Sequence, residues 1–314
     1  MPQDPNFPKD LDIKPLGAPN TRYGAVTTFE EEFGLQAQQD AISTYGIAGR
    51  VWEASHPMIT YLNPPPNWLF DPSMLLKEKN RKPYSILELG SGTGIAASCV
   101  AEVLGDGDRL YVTDLPEVCP LLERNLSKHF GKSFLLAVRP LSWGSLINAR
   151  AIREEFKPLE LTHIICSDLV YFPELLAPLL RSLIHITSGD FSHPNDEPIV
   201  VISYMIRSMT KEAPFWSAFG LWFRFYPVSY LPPTKPSDST RDLDDSEEEG
   251  EWRRFGSEQD DQVFVFVAKR RPASHSWEVP EDDRELLSGV GANGTKVPKS
   301  DDTFESLLLL SMDR

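Results

Sequence analysis

Residues 84–94 read YSILELGSGTG. A short apolar run over 84–89 stops at Gly90, and Gly92 and Gly94 follow at alternate positions. Glycine lets the backbone turn tightly and approach a ligand closely. The stretch therefore reads as a strand entering a helix through a binding loop. Its spacing is G-x-G-x-G, because Ile95 stands where a dinucleotide fingerprint would carry its third glycine. No Lys-Ser/Thr pair follows, so the loop is not of the Walker type. The plainer reading is a structural strand–helix turn that holds nothing.

The regular pattern continues outward from this loop. Apolar runs over 84–89, 109–113, 134–138, 161–167 and 198–204 read as strands. The stretches 95–104, 117–130, 173–186 and 211–218 read as helices, with Pro116 suited to a first helical turn. The last two strands, 221–228 and 262–268, have no helical pattern between them and read as an antiparallel pair. The fold class is thus α/β: a Rossmann-like, seven-stranded, mostly parallel sheet with a terminal antiparallel hairpin and helices on both faces. Upstream, Val51, Ala54, Met58 and Leu62 fall at helical spacing over 51–62, and Pro64 to Pro66 end that helix. The stretches 27–35 and 38–45 read as short strands or turns.

In such sheets, ligands bind at the carboxyl ends of the strands. Glu88, just ahead of the glycine loop, is awkward beside a pyrophosphate but suits a cationic ligand group. S-adenosylmethionine carries both an ammonium and a sulfonium. Asp114 closes the second strand, where a carboxylate can accept hydrogen bonds from both hydroxyls of a ribose. Asp114-x-x-Glu117 is also a capping-box-like start for the next helix, and the two readings stand side by side.

The 314 residues carry 31 Lys+Arg against 46 Asp+Glu, a formal net charge of −15. Most of this lies in two places: residues 237–251 carry −7 and residues 272–314 carry −5. Such segments read as solvated acidic stretches. They argue against a nucleic-acid surface, which needs a basic stripe. Cys99, Cys119 and Cys166 lack C-x-x-C spacing, and the six histidines lack ligand spacing, so no metal site is expected. No apolar run reaches the length of a membrane span.

In order and spacing, several short motifs resemble the class I, seven-strand methyltransferases that use S-adenosylmethionine, and within them the family-16 group of protein-lysine methyltransferases. They are Gly49-Arg50-Val51-Trp52 with Tyr61-Leu62, Glu88 to Gly94, and Thr113-Asp114. Leu141-Ser142-Trp143-Gly144, Ser167-Asp168-Leu169-Val170-Tyr171, and Ser203 to Arg207 with Phe215-Trp216 complete the set. The resemblance covers roughly 45–270. It implies that Trp52 lies on a pre-sheet helix covering the cofactor, and that Gly90, Ser91 and Gly92 line its methionine side. It also implies that Asp114 holds the ribose, Trp143 packs near the adenine, and Ser167 touches the cofactor beside the reaction centre. An indole is chemically suited to a flat apolar ring.

Asp168 and Tyr171 end the fourth strand, beside the place implied for the methyl group. The Asp-x-x-Tyr form is similar to that of family-16 lysine methyltransferases. Enzymes that methylate planar amides carry Asp/Asn-Pro-Pro-aromatic there. Asn63-Pro64-Pro65-Pro66 lies elsewhere and lacks the aromatic residue directly after the diproline. The implied reaction is direct methyl transfer to a lysine amine, with Asp168 orienting the nitrogen and Tyr171 forming the channel wall or accepting a hydrogen bond. A capping or turn residue, and a packed aromatic, are the plainer readings of these two.

The expected organisation is an N-terminal extension over 1–44 that is partly disordered, a methyltransferase domain over 45–270 with an acidic insertion near 233–260, and a disordered acidic tail over 271–314. The expected partner is a cytoplasmic protein bearing the target lysine, such as an elongation factor or chaperone, with the nucleus open to a chain of this size. Neither nucleic acid nor membrane is expected as a partner, and the protein is expected to be a monomer. A small-molecule acceptor and a non-catalytic, cofactor-binding interaction protein are the alternatives.

Overall fold

The computed structural model describes residues 7–8, 11–17, 30–74, 82–157, 160–189, 197–232, 251–256 and 262–312. The chain opens with helices α1 (Glu30–Phe33) and α2 (Leu35–Tyr45), a 3-10 turn over Gly46–Gly49, α3 (Ser55–Leu62) and strand β1 (Leu69–Asp71). The alternating part comprises β2 (Ser85–Leu89), α4 (Ile95–Ala101), β3 (Arg109–Asp114), α5 (Cys119–Asn125), β4 (Leu135–Pro140) and α6 (Leu146–Phe156). It continues through β5 (His163–Ser167), α7 (Pro173–Thr187), β6 (Ile199–Met205) and α8 (Met209–Trp222). Strands β7 (Phe223–Pro227), β8 (Ser229–Leu231), β9 (Arg253–Arg254) and β10 (Val263–Arg270) follow, then helices α9 (Asp283–Leu287) and α10 (Thr303–Met312).

Seven strands form one sheet in the order β4-β3-β2-β5-β6-β10-β7. The first five are parallel, and β10 runs antiparallel to both β6 and β7. All seven strands expected from the apolar runs are present, including the terminal hairpin. Strand order reverses between β2 and β5, which places the loops after β2, β3 and β5 around one crevice.

Alternation along the strands divides the core between the two faces of the sheet. Leu87, Leu89, Ile164, Cys166, Ile202 and Tyr204 pack with α6, α7 and α8. Ile86, Val112, Ile165, Val201, Val265 and Val267 pack with α3 and α4 on the other face. A small sheet of order β1-β8-β9 adds Phe70 and Tyr230 to this second cluster, and Phe255, just after β9, joins them.

Four expectations change. The stretches around 27–35 and 38–45, read as strands or turns, hold α1 and α2 where they are described, and Ala41 of α2 packs against Ala48, Val118 and Leu121. The helix expected over 51–62 begins only at Ser55, whose amide and hydroxyl both donate to the Trp52 carbonyl. Helix α6 went unexpected, because LINARAIREEF buries only Ala149, Ile152 and Phe156.

The acidic tail is folded rather than disordered as far as Met312. Its scattered apolar residues dock on the α7–α8 face: Leu286, Ala292 and Phe304 are all fully buried. The Phe304 ring stacks on Trp216 at 4.8 Å. Its acids find cations, with Asp283 on Arg181 at 2.7 Å and Asp301 near Arg271 at 3.6 Å. Most of the acidic insertion, 233–250, lies outside the described residues.

Candidate active site

The glycine loop keeps its shape through backbone that other residues rarely adopt: φ is +56° at Gly90 and +54° at Gly92. A Cβ on Gly90 would stand 2.6 Å from the Trp143 ring and 2.9 Å from Leu169. Trp143 reaches this point because Gly144, at φ +81°, turns the chain after β4 and donates its amide to Ser182 Oγ at 2.7 Å. Asp114 closes the other side. Its carboxylate accepts from Gly92 N and from Leu115 N, both at 2.8 Å. The capping role expected through Glu117 is not seen, since α5 starts only at Cys119. Burial pushes the Asp114 carboxyl up to about 6, against the two amides that favour its charge.

These groups surround a cavity of about 550 Å³. Trp52, Gly90, Ser91, Gly92, Asp114, Trp143, Ser167, Asp168 and Tyr171 all border it, so residues from five separate stretches of sequence meet here. Ile47, Leu115 and Leu141 add apolar wall. Ser91 Oγ is buried, and no described residue meets it in hydrogen-bond geometry. Glu88 is placed differently from expectation. It does not border the cavity but lies buried beneath the loop, and one of its oxygens, Oε2, also has no partner among the described residues. Burial pushes its carboxyl up to about 8, outweighing the nearby Ser91 hydroxyl and Ala97 amide.

Trp52 lies in the turn ahead of α3, not on a helix. Its Nε1 donates to the Ile47 carbonyl at 3.0 Å. Guanidinium groups stand over its ring, Arg50 at 4.3 Å and Arg207 at 5.3 Å from the centroid. The N-terminal segment crosses near this point. Arg50 Nε donates to the Lys14 carbonyl at 2.7 Å. The buried Gln38 amide clasps both backbone groups of Leu16 at 3.0 Å. Leu11 borders the cavity.

At the end of β5, Ser167 Oγ accepts from Ser203 Oγ at 3.3 Å. Asp168 has φ +60°, a left-handed conformation that aspartate tolerates better than most residues. Its carboxylate accepts a two-pronged bond from Arg207, 2.7 Å to Nη1 and 2.6 Å to Nη2. Ala54 N, at the start of α3, donates to the same carboxylate at 3.3 Å. Tyr171 packs edge-on against Phe172 at 4.8 Å. Burial raises its phenol pKa, and the Asp114 and Asp168 carboxylates push the same way, so the hydroxyl stays neutral.

Chemically, the cavity offers an apolar wall at Trp143, Leu115 and Leu141 and a carboxylate with lone pairs to spare at Asp114. It also offers a buried hydroxyl at Ser91 and an aromatic, charge-paired end at Tyr171 and Asp168. The family model described as lysine methyltransferase matches residues 30–218, more than half of the chain.

The chain belongs to the lysine methyltransferase family.

It is 29% identical over 174 residues to protein-lysine N-methyltransferase EFM6 of Saccharomyces cerevisiae, covering 52% of this chain and 65% of that protein. It is 29% identical over 158 residues to protein-lysine methyltransferase METTL21E of Mus musculus, covering 50% and 59%. It is 26% identical over 149 residues to EEF1A lysine methyltransferase 3 of Xenopus tropicalis, covering 48% and 57%. The matched stretch thus spans less than two thirds of each of these relatives. Within this lysine methyltransferase fold, sequence reasoning missed Arg207 and Glu53 as site residues. Arg207 stands in the Ser203–Arg207 motif, but its pairing partner lies 39 residues away, and only the fold brings them together. Glu53 joins the two guanidiniums that flank Trp52, at 2.6 Å from Arg50 and 3.2 Å from Arg207. Burial is the largest single influence and raises the Glu53 pKa, but the Arg50 hydrogen bond, a backbone hydrogen bond and the Arg50 and Arg207 charges together outweigh it and hold the carboxyl down at about 2.

Proposed function

We propose that this chain is an S-adenosylmethionine-dependent protein-lysine N-methyltransferase. The observation that carries the reading is the shared cavity: the glycine loop, Asp114 and Trp143 at one part, Asp168 and Tyr171 at another. When bound, S-adenosylmethionine supplies a methyl group on a sulfonium, which an amine can take while the bonding electron pair stays with sulfur.

The residues fit this cofactor. Cavity size is in the range of small-molecule sites. Each Asp114 oxygen already accepts one amide, and each has a second lone-pair site left for a ribose hydroxyl. Ser91 Oγ, buried and with no hydrogen-bond partner among the described residues, is available to the amino-acid end. Trp143, Leu115 and Leu141 would enclose the adenine. Gly90 is bare because the Trp143 and Leu169 side chains already fill the space of its Cβ.

The acceptor lysine must arrive as the neutral amine, since an ammonium has no lone pair. Desolvation beside Tyr171, Phe172 and Trp52 favours that form. Tyr171 then orients the nitrogen beside the Asp168–Arg207 pair, and most of the acceleration is proximity and alignment.

The candidate acceptor is a cytoplasmic protein of the translation apparatus, supported by the name of the EEF1A-methylating relative. The test is incubation of the purified chain with methyl-labelled S-adenosylmethionine and purified elongation factor 1A. Label recovered in a lysine of the factor supports the reading. Label in another protein of a cell extract corrects the acceptor only. Absence of cofactor binding by calorimetry overturns the reading itself.

A further inference from the structure

Asp168 borders the cavity, yet its side chain has no exposed area. The Arg207 guanidinium, 28% exposed, is the charged group left facing outward. A bare buried carboxylate beside the acceptor would stabilise an ammonium, which is the wrong direction for transfer. A carboxylate gripped by a two-pronged guanidinium carries no net charge as a pair. The geometry answers the objection to Asp168 through its partner.

Arg207 is held for this task from several sides. Besides Asp168 it reaches Glu53 at 3.2 Å, and its own amide donates to Glu212 Oε2 at 3.2 Å. The other charged and titratable groups around it are themselves engaged. Arg50 pairs with Glu53, and Glu212 accepts from the Tyr204 hydroxyl and the Ser208 amide. Asp12 and Lys14 of the N-terminal segment pair with each other at 2.6 Å. Tyr171 stays neutral, and Lys211, at the start of α8, adds a further positive charge at the cavity wall. Removing the Arg207 charge would therefore leave Asp168 as the new unbalanced charge.

We propose that Arg207 is a positioning residue that fixes Asp168 and cancels its charge, so that the acceptor lysine is bound as the neutral amine. This rests on the lysine-methyltransferase reading above. The same charge cancellation acts on the cofactor, whose sulfonium is positive while the sulfur of S-adenosylhomocysteine is neutral.

The test has two arms, with Arg207→Gln, Arg207→Lys and the charge-balanced pair Asp168→Asn/Arg207→Gln. The first is calorimetric binding of S-adenosylmethionine and S-adenosylhomocysteine, which needs no acceptor. Arg207→Gln is expected to shift the affinity ratio toward the sulfonium by about tenfold, the effect of one uncompensated nearby charge. The balanced pair should return the ratio to that of the wild type, and Arg207→Lys should hold it there. The second arm is the pH dependence of kcat on the protein acceptor labelled by the wild type. Arg207→Gln should move the rising limb to higher pH by about one unit, and the balanced pair should move it back even if its rate is low. An unchanged affinity ratio in Arg207→Gln overturns the proposal, as does a loss of rate with an unmoved pH limb. If the wild type binds cofactor but labels no lysine, the function reading fails, and the affinity ratio still decides the charge claim.

Discussion

The Trp143 indole lies 2.6 Å from the point where a Cβ on Gly90 would stand. The loop and the residue expected to cover the adenine are thus fitted to each other, and the fit exists only because position 90 has no side chain. Gly90→Ala should displace Trp143 and strain a backbone at φ +56°. We expect S-adenosylmethionine affinity to fall by at least about tenfold, with the fold kept, since such overpacking costs roughly 1–3 kcal/mol. Calorimetry checks it against Gly105→Ala, where a Cβ would meet nothing within 4 Å.

Cofactor binding should weaken in acid. The Asp114 carboxyl is pushed up to about 6 by burial, so lowering the pH through that value protonates the group offered to the ribose. The dissociation constant should rise between pH 7.5 and pH 5. In Asp114→Asn, binding should be weaker throughout and this particular pH dependence lost.

Glu88 should cost the fold stability at alkaline pH. Its carboxyl is raised from 4.5 to about 8 in the folded chain. The protonated form is therefore the one the fold favours: its contribution is complete below about 4.5 and is lost as pH rises through about 8. Glu88→Gln mimics that form. Its melting temperature relative to the wild type should climb between pH 5 and pH 8.5. A difference that stays constant over that range would show that Glu88 does not titrate there.

The C-terminal segment should be structural. Phe304 is fully buried and touches Trp216, Tyr204, Phe264 and Phe266. Truncating a core phenylalanine costs about 3–5 kcal/mol, so Phe304→Ala should lower the urea midpoint sharply. Exposed Leu310, on the same helix, should tolerate alanine with little change.

The alternating strands were legible because each is a run of apolar residues stopped by a polar or glycine turn, and burial on both faces of a parallel sheet makes such runs. Asp114 and Gly90 were legible because strand ends and glycine loops follow from that pattern. What escaped has a shared cause. Helix α6 buries one residue per turn, and the tail docks through Leu286, Ala292 and Phe304 spaced among acids, so composition conceals both. Glu53 and Arg207 are 154 residues apart, and nothing local marks them as neighbours. Trp52 was expected on a helix because the spacing of Val51, Ala54 and Met58 is helical, but a turn bonded through the Trp52 carbonyl delays the start. Glu88 was placed beside the ligand because it adjoins the loop, whereas the alternation of β2 turns it into the core under α4.

The most direct measurement is amino-acid analysis of protein labelled from methyl-labelled S-adenosylmethionine in an extract of the chain's own cell type, with wild type and Asp168→Ala run side by side. The account predicts label recovered as methyllysine from a discrete protein band with the wild type and none with the variant. Label recovered in another side chain, or equal methyllysine from both proteins, would contradict it.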